Sequence, residues 1–216
     1  MVSGMFDFHN DTALQGRIDP MSRLSLPLAK LVFDKTVAVL LLIPLVIAAF
    51  LLVFANPFVN AGPLMFVQRR MGRDFQPFYV FKFRTMRPTG ETRGAHDGLE
   101  AGRITRLGQF LRRTRIDELP QVINVLRGEM SLIGPRPDCY EHARVYLRDV
   151  PGYAARYRVL PGISGYAQTE LGYVDNIGAV HRKVAADLYY IANASFRFDM
   201  RIAWRTLIVV LARRGA

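Results

Sequence analysis

Two carboxylates, Asp117 and Glu118, stand side by side in the run RTRIDELPQ, directly after a dense series of guanidiniums. Between Arg69 and Arg115 there are twelve Arg or Lys against four acids, Asp74, Glu91, Asp97 and Glu100. Arg forks bind phosphate bidentately, so Arg in place of Lys points to fixed oxyanion recognition. A solvated face attracted to anionic lipid is the alternative, because basic clusters beside membrane segments also do only that. Asp117 has two readings that do not exclude each other. As an N-cap it would accept backbone N–H groups, with Glu118 favouring the helix dipole. As part of a site, paired carboxylates among guanidiniums can hold a divalent cation and present a nucleophile to a phosphate.

The next polar landmark is SLIGPRP, Ser131 to Pro137, where prolines on both sides of Arg136 fix the backbone that presents it. A mere rigid turn is the plainer reading. Farther on, PGISGYAQ (Pro161 to Gln168) is a Gly-rich loop whose amides could approach a ligand. Neither GxxxxGK[ST] nor GxGxxG occurs, and His9, His96, His142 and His181 have no metal-ligand spacing.

These groups need elements to hold them. Leu64 to Gln68 and Phe78 to Arg84 are β-prone runs around a turn at Met71 to Pro77, which predicts a hairpin. Glu91 to Gly102 is Gly-rich and acidic, and reads as a mobile loop. From Arg103 the period turns helical, with Ile104, Leu107, Phe110 and Leu111 on one stripe. A second helix is expected from Asp117, with Leu119, Val122, Ile123 and Leu126 inward, Pro120 in its first turn and Gly128 beyond its end. Helical patterns return at Tyr140 to Arg148, Ala179 to Ile191 and Phe198 to Ala212. The last sets Arg197, Arg201 and Arg205 beside Met200, Ile202, Trp204, Leu207 and Ile208, as an interfacial amphipathic helix or an ordinary surface helix would.

One segment departs from soluble behaviour. Thr36 to Ala55 is uncharged throughout, about 30 Å as helix and long enough to cross a bilayer core. Pro44 near its middle predicts a kink or break. Basic residues flank both sides, Arg17, Arg23, Lys30 and Lys35 before and Arg69, Arg70 and Arg73 after, so orientation by charge is balanced. A spanning helix and a hairpin broken at Pro44 remain open on these residues. The whole chain, 216 residues and 50% hydrophobic with a net charge of +11, excludes disordered and low-complexity classes and requires an anionic partner. The single Cys139 excludes an internal disulfide framework.

In register from Lys30 to the C-terminus, the runs KLVFDKTVA, GPLMFVQRRMGRDFQPFYVFKFRTM, RITRLGQFLRRTRIDELPQVINVLRGEMSLIGPRP, YRVLPGISGYAQ and DLYYIANASFRFD resemble one family. It is the bacterial sugar transferases of the monotopic phosphoglycosyl transferase superfamily, which initiate glycoconjugate synthesis on polyprenol phosphate. The short length resembles the minimal stand-alone form. Ser164 stands where Thr is common and Ala194 where an aromatic is common; neither departure touches Asp117 or Glu118.

The resemblance implies an α+β fold: a mostly helical compact domain with a short β-hairpin, a re-entrant membrane helix broken at Pro44, and interfacial amphipathic helices. It implies a polar arm at 1–29, the membrane helix with its exit loop at 30–62, and a catalytic domain at 63–216 on the cytoplasmic face of the bacterial inner membrane. The implied reaction moves a sugar-1-phosphate from a UDP-sugar to undecaprenyl (polyprenol) phosphate with Mg²⁺. Asp117 would be the nucleophile, forming a covalent phosphosugar as UMP leaves. Glu118 would join Asp117 in holding the metal or handle the acceptor's proton, and Lys82, Arg84, Arg112, Arg115 and Arg136 would contact phosphates. Partners are then donor, lipid acceptor and inner-membrane lipid, with room for a homo-oligomer and no nucleic acid. The rival reading is a catalytically inactive, membrane-anchored basic scaffold.

Overall fold

A computed structural model describes residues 28–88, 94, 100–171 and 177–212. The arm expected at 1–29 therefore lies outside the described residues except for Leu28 and Ala29, as does most of the 91–102 loop.

The apolar segment is helix α1, Leu28–Val59. Helical structure continues through Pro44, where the sequence predicts a discontinuity, and through Pro57. Its buried positions, Lys30, Asp34, Ala38, Leu45, Leu52 and Asn56, recur at helical spacing and form one stripe along the whole length. The stripe shares a core with Phe78, Val80, Phe83, Leu111, Val122, Val125 and Met130. The remaining circumference, including Val39, Ile43, Val46, Phe50, Val53 and Phe54, is exposed and apolar. An exposed apolar face of that extent marks an interaction surface, for a membrane or for another protein. Among the described residues α1 is the one helix long and apolar enough to cross a membrane.

Both ends of α1 are fastened to the same body. Near its start Lys30 donates to the Ile133 carbonyl at 3.0 Å and pairs with Asp199 at 2.6 Å. Asp34 accepts from the Ser131 hydroxyl at 2.7 Å, and Lys35 donates to the carbonyls of Val125 and Leu126. At the other end Asn56 donates to the Gly62 carbonyl at 2.7 Å and Asn60 to the Arg84 carbonyl at 3.0 Å. Lys30 and Lys35, which the sequence presents as flanking charge, thus serve as anchors to the domain.

The predicted hairpin forms as β1 (Met65–Met71) and β2 (Pro77–Phe83), antiparallel with Met65 opposite Phe83 and Met71 opposite Pro77. Its turn carries left-handed backbone at Asp74 and Phe75. Alternation sinks Phe78, Val80 and Phe83 into the core. Helix α2 (Arg106–Thr114) is capped by the Thr105 side chain accepting from the Gly108 amide at 3.0 Å.

After α2 the chain differs from expectation. Ile116–Gln121 is a 3₁₀ segment, and α3 starts only at Val122, running to Arg127 with left-handed Gly128 behind it. Pro120 has no N–H to give to an α-helical ladder, so the tighter turn fills the stretch before α3. The segment's entry residue is left-handed Arg115, without a side-chain cap, so Asp117 is not an N-cap. SLIGPRP and PGISGYAQ pair as short parallel strands, β3 (Ser131–Ile133) and β4 (Gly162–Ser164). A Cβ on Gly162 would lie 2.1 Å from the Gly134 nitrogen, so this glycine answers the approach of another backbone. Helices α4 (Tyr140–Asp149), α5 (Tyr166–Leu171), α6 (Ile177–Ala192) and α7 (Phe196–Leu211) complete the described chain. A tyrosine-rich cluster, Tyr140, Tyr146, Tyr153 and Tyr157 with Val180 and Val184, packs α4 and α6 together. Helix α7 buries Asp199 and Ile202 and exposes Trp204, Leu207, Ile208 and Leu211.

Candidate active site

The β1–β2 hairpin, the 3₁₀ segment and the Gly134 to Pro137 turn converge on Glu118. Lys82 reaches its Oε1 from β2 at 3.1 Å, and Arg136 reaches the same oxygen from the proline-flanked turn. Arg115 takes Oε2 at 3.2 Å. Arg136 is itself steadied by donating to the Ile163 carbonyl of β4 at 3.2 Å. Burial works against the charge of Glu118, yet Arg136, Lys82 and Arg115 override it and hold the carboxyl well below the usual range. The same burial, reinforced by Arg136, brings Lys82 down to about 8, while Glu118 keeps Arg136 above its ordinary value against burial.

Asp117 has the opposite environment. It is 7% exposed, and its Oδ1 is buried with no hydrogen-bond partner. Burial and then the charge of Glu118 push its pKa up to about 6, against the pull of Lys82, Arg136 and Arg112. Adjacent carboxylates whose environments separate their pKa values take different roles. Glu118 organises cations. Asp117 keeps an uncommitted oxygen, is ionised at neutral pH, and is the group free to attack an electrophile or meet a metal.

Arg112, beside Asp117, is fixed by donating from Nε to the Thr85 hydroxyl at 3.0 Å. Lys82, Arg115 and Arg136 are therefore gathered with Arg112 around the carboxylates. Arg84 is not. Its Nε donates to the Pro63 carbonyl at 2.6 Å, Nη1 to Met86 at 3.4 Å and Nη2 to Asn60, with left-handed Gly62 against the guanidinium. It clasps the exit of α1 to the end of β2: alternation alone would put Arg84 on the face of Lys82, but β2 ends at Phe83, so Arg84 lies past the strand and turns to the carbonyls of the α1 exit.

Sequence reasoning passed over a supporting layer. Arg70 on β1 is half-buried, donates to the Pro137 carbonyl at 2.6 Å and keeps an unpartnered Nε; burial and Arg136 lower its pKa. Arg156 donates to the Arg136 carbonyl at 2.8 Å and is neutralised by Asp138 at 2.6 Å and Asp187 at 2.7 Å. Asp138 also accepts from Tyr153 and Lys183. Burial opposes its charge, but Lys183 and Arg156 hold its pKa far below normal. Asp138 was recoverable from its place after GPRP; Arg156 and Asp187 sit on ordinary-looking helical stretches.

A divalent metal would have few protein ligands to hold it here. Among the described residues no group of three His, Cys, Asp or Glu could cage one. The open oxygen of Asp117 suits a Mg²⁺ that takes one or two carboxylates and completes its shell with water and substrate phosphates.

A buried carboxylate pair ringed by fixed cations, in a domain that carries one long exposed apolar helix, suits a membrane-associated protein that handles anions. Residues 26–213 match the family model for bacterial sugar transferase, and the chain belongs to that family. It is 40% identical over 181 residues to the UDP-N-acetylgalactosamine-undecaprenyl-phosphate N-acetylgalactosaminephosphotransferase of Aeromonas hydrophila, covering 83% of this chain and 42% of that protein. With the UDP-glucose:undecaprenyl-phosphate glucose-1-phosphate transferase of Caulobacter vibrioides the identity is 38% over 202 residues, 91% of this chain and 75% of the relative. With the exopolysaccharide production protein PSS of Rhizobium leguminosarum bv. phaseoli it is 37% over 191 residues, 84% and 93%. The chain thus spans well under half of the Aeromonas relative and most of the other two.

Proposed function

We propose that this chain transfers a sugar-1-phosphate from a UDP-sugar to undecaprenyl phosphate, or a similar polyprenol phosphate, starting exopolysaccharide or other glycoconjugate synthesis. The observation that carries the reading is the contrast between Asp117, buried with an unpartnered oxygen, and Glu118, saturated by Lys82, Arg115 and Arg136. The relatives' names supply the substrate classes.

In the first step a carboxylate oxygen of Asp117 attacks the sugar-bearing phosphorus of the donor. The bond from that phosphorus to the bridging oxygen breaks, and UMP leaves with the electron pair. In the second step a phosphate oxygen of the lipid attacks the same phosphorus and Asp117 leaves as carboxylate. One site thereby serves a soluble donor and a lipid acceptor in turn. Arg136, Lys82, Arg112 and Arg115 neutralise and orient the phosphates beside buried carboxylates, where charges act strongly. Glu118 keeps those cations from repelling one another out of position. Mg²⁺, held by Asp117 with Glu118 beside it, would spread the charge that builds on the diphosphate.

The fastening of both ends of α1 to one domain supports a helix that enters and leaves the membrane on the same, cytoplasmic, face. In a Cys139→Ser background, cysteines introduced at Ser22 and Arg73 should label from the same side; labelling from opposite sides means a spanning helix. A basic scaffold without catalysis would gain nothing from a buried carboxylate with a raised pKa, which costs stability.

The reaction is tested with the full chain, Mg²⁺, undecaprenyl phosphate and a panel of UDP-sugars. Wild type should release UMP, and donor alone should add one phosphosugar mass to the peptide containing Asp117. Asp117→Asn should stay folded and do neither. UMP release by the Asn variant at the wild-type rate would overturn the mechanism.

A further inference from the structure

We propose that Arg156 is a positioning residue for the donor: by holding the backbone of Arg136 it aims that guanidinium at the diphosphate, an assignment that rests on the transfer reaction above. Pro135 and Pro137 have no N–H, so the turn that presents Arg136 is held chiefly through its carbonyls. Four successive carbonyls are each taken. Pro135 accepts from the Gly162 amide at 2.9 Å, Arg136 from Arg156 Nη2 at 2.8 Å, Pro137 from Arg70 Nη1 at 2.6 Å and Asp138 from the Met71 amide at 3.3 Å. Strands β1 and β4 supply three of these holds. The carbonyl of Arg136 itself is held from a separate 3₁₀ stretch, Tyr153–Arg158.

One planar group makes that hold. Arg156 Nε donates to Asp187 of α6 at 2.7 Å and Nη1 to Asp138 at 2.6 Å, which leaves Nη2 for the Arg136 carbonyl. The residue is 3% exposed, and its guanidinium carbon lies 4.9 Å from the centre of the Tyr153 ring, whose hydroxyl also donates to Asp138. Lys183 of α6 completes the cluster on Asp138, so two cations face two carboxylates. A neutral cluster adds little field at Asp117, and its effect on the site is therefore geometric. Arg136 in turn reaches Glu118 and the Ile163 carbonyl, so a shift of its backbone draws the guanidinium away from both. Lysine at 156 would keep the charge, but a point charge on a flexible stem does not meet three acceptors as a planar fork does.

The test uses the full chain in phosphatidylcholine nanodiscs with Mg²⁺, UDP binding by calorimetry and phosphosugar formation from a UDP-sugar. Arg156→Lys should weaken UDP binding and raise donor KM by about ten-fold, with the rate at saturating donor within about two-fold of wild type. In an Arg136→Ala background the same substitution should add less than about two-fold, because both act through one guanidinium. Arg84→Ala supplies the comparison for lost stability alone: its melting temperature falls and its donor KM stays. Should Arg156→Lys fail to fold, Asp187→Glu, which displaces the acceptor of Nε by one methylene, should raise donor KM in the same direction, and only while Arg136 is present. Unchanged UDP affinity in a folded Arg156→Lys variant, or losses that add in full to those of Arg136→Ala, overturn the assignment. A chain that releases UMP but shows additive losses loses this assignment alone. One that couples the two residues in UDP binding but uses no donor loses the reaction and keeps the clamp, and one that binds no UDP loses both.

Discussion

Removing the proposed nucleophile should make the protein more stable. Asp117 titrates near 6 in the fold against 3.8 ordinarily, a rise of about two pKa units, so its ionised form costs the folded state about 3 kcal/mol. At 7% exposure little solvent screening reduces that cost. Asn has nearly the same shape without the charge, so Asp117→Asn should recover much of it. For a domain of this size the gain corresponds to a melting temperature higher by roughly 4 to 10 °C at pH 7.5. The sign reverses the usual carboxylate case. Above pH 6 Asp117 is ionised in both folded and unfolded chains and the full penalty is present; below about 3.8 it is protonated in both and the penalty is gone. The advantage of the Asn variant should therefore shrink as pH falls from 6 toward 4. The assay is intrinsic-fluorescence melting in nanodiscs with EDTA and no Mg²⁺, across that pH range. An Asn variant no more stable than wild type at pH 7.5, or one whose advantage grows on acidification, would refute the claim that Asp117 is a buried charge held at a cost.

Three further outcomes follow from the same geometry. The rate of phosphosugar formation from donor alone should be bell-shaped in pH, rising through about 6 as Asp117 ionises and falling above about 8 as Lys82 loses its proton; Lys82→Arg should remove the upper limb. Arg84→Ala strands the carbonyls of Asn60, Pro63 and Met86 and should cost about 2 kcal/mol or more, read as a lower melting temperature. The folded fraction should keep its donor KM, whereas Arg136→Ala should raise donor KM at least about ten-fold. Gly162→Ala places a methyl 2.1 Å from the Gly134 nitrogen, so β3 and β4 must part; stability should fall by about 1 to 3 kcal/mol or more and donor KM should rise as Arg136 shifts.

What the sequence makes readable depends on how local each cause is. The hairpin, α2 and the last helices follow from period and capping within one segment, and the structure has them within a few residues. The 3₁₀ segment follows from Pro120, which is legible, but the partners of Glu118 are not, because Lys82 and Arg136 lie 36 and 18 residues away and meet it only in the fold. The β3–β4 pair was invisible for a similar reason: each strand is three residues long, and its glycines make sense only against each other. Asp117, Glu118, Lys82, Arg112, Arg115 and Arg136 could all be picked out by type and motif. Arg84 shares their type and neighbourhood but lies past the end of β2 with its donors on carbonyls. Side-chain chemistry alone does not distinguish these two uses of a guanidinium.

The balance of charge around the carboxylates also explains why Glu118 is present at all. Lys82, Arg115 and Arg136 converge within hydrogen-bonding range of a single side chain, and without it three like charges would share a largely buried space. The wall must be positive for a diphosphate to enter, yet it must exist before the diphosphate arrives. A carboxylate that takes part in no bond-making can stand in for the substrate's charge in the empty site and still bind the wall together when the substrate is bound. On that account Glu118→Gln should raise donor KM more than it lowers the rate of phosphosugar formation at saturating donor. A Gln variant with normal KM and a much reduced rate would instead make Glu118 a participant in the chemistry.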